Sequence, residues 1–441
     1  MSTISRQFPG TFPTSIALAF IACLVCLSPQ AAAPKAPPKI DPARAGFSAK
    51  RLQRIDERMR EAVATGVMVG GHGLIARDGK IVYDQVWGDA DREADLPVTH
   101  DTLYRIYSMS KPVTTVALLM LYEEGHFLLN DPIDRYLPEF GELQVLQSNS
   151  DGEETYAPAR IPTIRDLMRH TAGFRYGLFG DTAVDQRYLQ AELFLAPTLT
   201  DFSERLAQLP LSAQPGTRWQ YSVSVDIQGR LIEAISGKSL GEFLQQRIFE
   251  PLGMNDTFFV VPPQKRARLA QLYAPVDNHA SFTRQWRWTA EQTLEPAAPE
   301  LTRGYVDGHL FESGGAGLVS TTDDYLRFAL MLAGGGAWNG VRLLSPHTVN
   351  LMRSNHIQHQ QSDDLYGVDA FGLGVGIVLD PATNKGELGG AGSYGWGGAA
   401  GTSFWIDPEN DVVGIFMVQS IPHQTTLKNR FEVLTYQALL E

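Results

Sequence analysis

An α+β fold, with one antiparallel sheet drawn from both ends of the chain, is what the order of segments predicts. Three observations carry it. Strand-like runs cluster near the start and after residue 370, and apolar helical stripes fill the middle. An Asp78-Gly79 pair between two apolar runs marks a hairpin close to the start. The 441 residues suffice for one large domain or two ordinary ones, and 44% apolar against 20% charged residues is a globular balance. A net charge of −12 argues against a broad nucleic-acid footprint.

Residues 1–33 read as a secretory signal peptide: Arg6, an apolar run from Ile16 to Leu27, then the small residues Ala31–Ala33. The run is short for a membrane span, so the expectation is export to the periplasm or medium, with an uncleaved N-terminal anchor as the alternative. No stable membrane insertion of the mature domain is expected. Both cysteines, Cys23 and Cys26, fall in this run. Their removal with it excludes thiol catalysis and a cysteine zinc site. Residues 34–45 read as a Pro-rich linker.

Ser48 can cap a helix whose buried face holds Leu52, Ile55, Met59 and Val63. Strands follow at Val67–Arg77 and Lys80–Trp87. Stripes at Val113–Tyr122, Ile164–Met168 and Ile227–Ile235 predict helices, as does Thr322–Leu332. Phe371–Leu379, Thr402–Ile406 and Val412–Val418 predict strands. A last helix over Thr425–Leu440 turns Leu427, Phe431, Leu434 and Ala438 inward. The expected organisation of 46–441 is an α/β lobe from 46–105 and 301–441, a helical lobe from 106–300, and a cleft between them.

Ser108-Met109-Ser110-Lys111 precedes Pro112 and an apolar helix, which puts Ser108 near a helix N-terminus. Ser108 and Lys111 are three apart and share a face. A serine hydroxyl needs a base, and a desolvated neutral lysine can serve. By itself the pattern fits equally well a capping serine and a surface lysine. Tyr221-Ser222-Val223 lies before another apolar helix; a phenol near a lysine can be held as phenolate and act as a base. Trp396-Gly397-Gly398-Ala399 lies in the Gly-rich stretch 389–401, where backbone can approach a ligand closely and N–H groups can face an oxyanion.

Ser108-x-x-Lys111, Tyr221-Ser222-x and Trp396-x-Gly398, in this order, resemble the serine β-lactamase/penicillin-binding-protein superfamily, and within it the family VIII carboxylesterases. His170-Thr171-Ala172-Gly173, Pro215-Gly216-Thr217, Pro251-Leu252-Gly253-Met254 and Gly317-Leu318-Val319-Ser320-Thr321 add to the likeness, which covers roughly 46–440. The resemblance implies a β-lactamase/transpeptidase-like fold and a serine hydrolase with no cofactor and no metal. It implies Ser108 as the acylated nucleophile, with Lys111 and Tyr221 sharing removal of its proton. Tyr221 then protonates the leaving alcohol. The N–H groups of Ser108 and Ala399 form the oxyanion hole, and Trp396, Gly397, Gly398 and Val223 line the substrate pocket.

Two departures guide the choice of substrate. β-Lactamases of this type usually carry asparagine where Val223 stands and lysine where Trp396 stands. Apolar groups at these places remove recognition of an amide and a carboxylate. A neutral small-molecule ester is therefore expected as substrate, ahead of a β-lactam or a D-alanyl-D-alanine peptide. A catalytically idle sensor on the same scaffold is the other class of reading. Ala391-Gly392-Ser393-Tyr394-Gly395 is a rival nucleophile motif, but it lacks the flanking strand and helix that such an elbow needs. His356-x-x-His359 reads as solvated loop rather than a metal site. Oligomeric state has no sequence signal.

Overall fold

The computed structural model describes residues 36–440 apart from 149–153, 277–292, 303, 309–310, 359, 363–368, 383–387 and 424–425. The signal-peptide segment and both cysteines lie outside the described residues. From Pro34 onward the chain forms one compact unit.

Its centre is an eight-stranded sheet in which every neighbouring pair is antiparallel. In spatial order the strands are Ala370–Phe371, Gly376–Ile377, Tyr394–Gly397, Ser403–Asp407, Val412–Val418, Gly70–Arg77, Lys80–Asp91 and Leu96–Pro97. The join between the two ends of the chain is the pairing of Gly70–Arg77 with Val412–Val418, Leu74 opposite Ile415. Both of these central strands are almost wholly buried, because both faces of the sheet are covered. One face packs on the helices Ala49–Ala64 and Leu427–Tyr436 through Ile55, Met59, Phe416 and Phe431. Ser48 caps the first of these as expected, its Oγ accepting from Arg51 N at 3.3 Å. The other face merges into a core shared with the helices Ser110–Glu123, Ser224–Ser236 and Thr322–Ala333.

Three expectations change. The segment 34–45 is not a free linker from Pro38 onward: Pro38 and Ile40 exchange backbone bonds with Ile81, and Pro42–Ala45 closes a 3-10 turn capped by Asp41. Phe371–Leu379 is not one strand. It folds back at Gly372–Val375, where Gly374 has φ of +73° and a Cβ would stand 2.3 Å from Thr115 Oγ1. Tyr394–Gly397, in the Gly-rich stretch read only for close backbone approach, is a strand of the main sheet.

Candidate active site

Ser108 sits in a single 3-10 turn, Tyr107–Met109, directly before the Ser110–Glu123 helix. Tyr107 has φ of +43°, a left-handed conformation that costs a non-glycine residue about 1–3 kcal/mol. The neighbourhood holds it there: Ile106 N donates to Leu318 O at 3.0 Å, and Tyr325 Oη donates to Met109 O at 2.9 Å. The turn leaves Ser108 partly exposed, while Ser110 and Lys111 on the following helix are fully buried.

Lys111 Nζ makes three hydrogen bonds: to Ser108 Oγ at 3.1 Å, to Tyr176 Oη at 2.8 Å and to Gly315 O at 2.7 Å. It also lies 4.7 Å from the centre of the Tyr221 ring. Burial pushes its pKa down to about 7, against the pull of the Asp226 carboxylate. At neutral pH a large fraction of Lys111 is therefore a free amine. In that form two N–H groups serve Tyr176 and Gly315, and the lone pair accepts from Ser108 Oγ in place of the third N–H.

Tyr221 is hydrogen-bonded to Ser108, and Trp396 Nε1 donates to Tyr221 Oη at 3.1 Å. Its ring is enclosed by His170, Tyr176, Trp219 and Trp396, with centroids 4.9–6.2 Å away. Burial pushes its pKa up, outweighing those two hydrogen bonds. Burial thus favours the neutral phenol over the phenolate that a nearby lysine can hold, because low dielectric penalises the charged form. His170 is likewise driven well below its usual pKa by burial, with Lys111 adding to the shift, so it stays neutral against the Tyr221 ring.

The Gly397–Ala399 stretch closes the site at the end of the Tyr394–Gly397 strand. Gly398 N donates to Thr402 O at 2.7 Å, and Thr402 Oγ1 donates to Ile106 O at 3.2 Å. A Cβ on Gly398 would stand 2.4 Å from Ile106 O, so only glycine lets this turn lie against the one that carries Ser108. Ala399 is partly exposed beside it. Val223 goes elsewhere than expected. It is fully buried in the main core at the start of the Ser224–Ser236 helix and offers no surface to a ligand.

Tyr176, Gly315 and Asp226 were not picked out from sequence. Tyr176 lies in a loop with no motif spacing, and Asp226 reads there as an ordinary acidic residue in a helix first turn. A run Gly314-Gly315-Ala316-Gly317 was the one available signal for close backbone approach. Ser393 is buried and donates to Gly390 O at 2.7 Å, in a turn rather than at an exposed elbow. His356 is not solvated: it is partly buried and its ring Nε2 lies 2.9 Å from Leu351 O. His359 falls outside the described residues. Away from the site, Asp84 gathers His72 Nε2 at 2.7 Å, His100 Nδ1 at 3.0 Å and Lys39 Nζ at 2.7 Å. The lysine supplies the charge balance there.

The Beta-lactamase family model matches residues 55–436. Esterase EstB of Burkholderia gladioli is 30% identical over 384 residues, covering 83% of this chain and 90% of its own. Lovastatin esterase of Penicillium rubens is 30% identical over 393 residues, covering 83% and 92%. Among solved structures, EstCE1, described as a hydrolase with promiscuous acyltransferase activity, is similar with a TM-score of 0.70 at 26% identity. That likeness spans 89% of this chain and 98% of the other.

Proposed function

This chain belongs to the Beta-lactamase family, and from that premise we propose that it is a serine carboxylesterase acting on neutral esters through an acyl-enzyme on Ser108. The observation that carries the reading is a fully buried Lys111 with a pKa pushed down to about 7, 3.1 Å from a partly exposed serine. The esterase names of the relatives EstB and lovastatin esterase point the same way.

In this mechanism the Lys111 lone pair takes the Ser108 proton as Oγ attacks the ester carbon. The oxyanion so formed is met by the N–H groups of Ser108 and Ala399. As the tetrahedral adduct collapses, the C–O bond to the alcohol breaks and Tyr221 gives its proton to the leaving oxygen. The Lys111 ammonium restores that proton. Water then repeats the sequence on the acyl-enzyme, releasing the acid. Tyr221 serves as the acid because its proton is held, and Lys111 serves as the base because its proton is not.

A neutral substrate is supported by Trp396, an apolar ring whose single donor is already directed at Tyr221. Hydrolysis of p-nitrophenyl butyrate and of a chromogenic cephalosporin, for wild type and Ser108→Ala, tests the proposal. Ester turnover that is lost in the variant, with little cephalosporin turnover, is the expected result. Dominant cephalosporin turnover overturns the ester assignment, and ester turnover surviving in Ser108→Ala overturns the nucleophile. No helix among the described residues is long and apolar enough to cross a membrane. Export through residues 1–33 is part of the proposal, and N-terminal sequencing of protein recovered outside the cytoplasm checks it.

A further inference from the structure

Asp226 is fully buried in the first turn of the Ser224–Ser236 helix, and one of its carboxylate oxygens is fully committed. Oδ1 accepts from Ser313 Oγ at 2.6 Å and from Gly315 N at 3.1 Å. Oδ2 is buried and makes no hydrogen bond among the described residues. A carboxylate so placed needs either a proton or a nearby cation. Burial does raise its pKa, and the opposing influences are the Ser313 hydrogen bond, the charge of Lys111 and the Gly315 amide.

The link to Lys111 runs through one residue. Gly315 gives its N–H to Asp226 and offers its C=O to Lys111 at 2.7 Å. A carbonyl can only accept, so a fixed Gly315 C=O fixes one Lys111 N–H and, with Tyr176, the direction left for the lone pair. The turn around Gly315 is held on every side. Ala316 N donates to Ser313 Oγ at 3.0 Å, Thr114 Oγ1 donates to Gly314 O at 2.9 Å, and Tyr305 Oη donates to Ala316 O at 2.9 Å. A Cβ at Gly315 would stand 2.7 Å from Asp226 Oδ2, which is why this position is glycine.

The ionisable groups facing Lys111 are Tyr176, Tyr221, His170 and Asp226. Tyr221 and His170 are held neutral by burial. Asp226 is the carboxylate whose field reaches Lys111, and it also opposes ionisation of Tyr221.

We propose that Asp226 is a positioning residue for the Lys111 base, orienting it through Gly315 and holding a buried negative charge within reach of the amine. The proposal rests on the Ser108–Lys111 reading above. Its sign is definite. A nearby negative charge favours the ammonium, so removing it lowers the Lys111 pKa and makes the free amine available at lower pH.

The test is the pH dependence of kcat/KM for p-nitrophenyl butyrate hydrolysis in wild type, Asp226→Asn, Ser313→Ala and Ser108→Ala. Wild-type activity rises through about pH 7 with Lys111. In Asp226→Asn that rise moves to lower pH by about one unit or more, the usual effect of a close opposite charge. Ser313→Ala removes one donor from the carboxylate and moves the rise in the same direction by less. It also serves where Asp226→Asn does not fold, as judged by circular dichroism. A residue with a purely structural role lowers the plateau or the melting temperature and leaves the rise where it was. An unmoved rise in the folded variants, with hydrolysis lost in Ser108→Ala, therefore overturns the role of Asp226 alone. Hydrolysis retained in Ser108→Ala overturns the nucleophile reading and this proposal with it.

Discussion

The indole Nε1 of Trp396 donates to Tyr221 Oη at 3.1 Å, across rings whose centroids are 5.5 Å apart. β-Lactamases of this type usually carry a lysine at that position. An indole keeps a hydrogen-bond donor on the phenol but brings no positive charge, so its pull toward the phenolate is outweighed by burial. In the proposed mechanism this links the pocket to the acid–base role: Trp396 lines the pocket with an apolar ring and fixes the direction of the Tyr221 hydroxyl, while burial keeps that hydroxyl protonated.

Trp396→Phe keeps an aromatic ring and removes only the donor. The expected outcome is a fall in kcat of about fivefold, matching the ~1 kcal/mol net value of one hydrogen bond. KM for p-nitrophenyl butyrate stays within about twofold. Steady-state kinetics check both numbers, and an unchanged kcat removes the bond from the mechanism.

Gly398→Ala places a methyl group 2.4 Å from Ile106 O and 2.3 Å from Thr402 Oγ1, both of them hemmed in. The turn must retreat from Ser108 and carry the Ala399 N–H with it. A loss of about a hundredfold in kcat follows, the usual cost of one oxyanion donor. Ser393→Ala, in the neighbouring turn, keeps wild-type kcat/KM because its hydroxyl only braces Gly390.

Lys111 also leaves a mark on stability. Its pKa in the folded chain is about 7, well below that of a free lysine. Between about pH 7 and the unfolded value near 10.4 the unfolded chain binds the extra proton, so this group makes stability rise with pH there. Lys111→Met lacks the titration. Urea melts at pH 7 and pH 9 will show wild type gaining on Lys111→Met as pH rises; parallel behaviour contradicts the lowered pKa.

Asp84 anchors the far side of the sheet. Burial raises its pKa, but the bonds from His72 and Lys39 outweigh that and hold the carboxyl well below the usual range. Its contribution is complete above the unfolded carboxyl pKa near 4 and is lost as pH falls below it. Asp84→Asn at pH 7 costs about 1–3 kcal/mol in denaturant melts, because His72 is 2% exposed and loses its charged partner.

What could be read from the sequence was local. Ser108 and Lys111 were legible because a three-residue spacing puts both on one face, and the Ser48 cap and the Asp78-Gly79 hairpin because each signal is a few residues long. Tyr176 and Gly315 were not legible: they meet Lys111 from 65 and 204 residues away, and neither belongs to a local pattern. Val223 was misjudged because its neighbour Tyr221 faces the site, whereas the entry to the helix two residues later turns the valine into the core. The break at Gly372–Val375 is likewise set from a distance, by Thr115 on the helix behind Ser108.

The backbone bridge from Phe47 to Leu439, with Ser48 N donating to Ala438 O at 2.8 Å, brings the two ends of the folded unit side by side. Leu440 N also donates to Gly46 O at 2.8 Å, so a short peptide can join residue 440 back to residue 46 without crossing the sheet. Reopened at the exposed Asn339-Gly340 turn, where Gly340 has open space around its Cα, such a ring becomes a circular permutant whose native ends are internal. The order of the eight strands in space is untouched by that cut, although their order along the chain is rotated. The Val412–Val418 strand then precedes Gly70–Arg77 and lies nearer to it along the chain than in the native order.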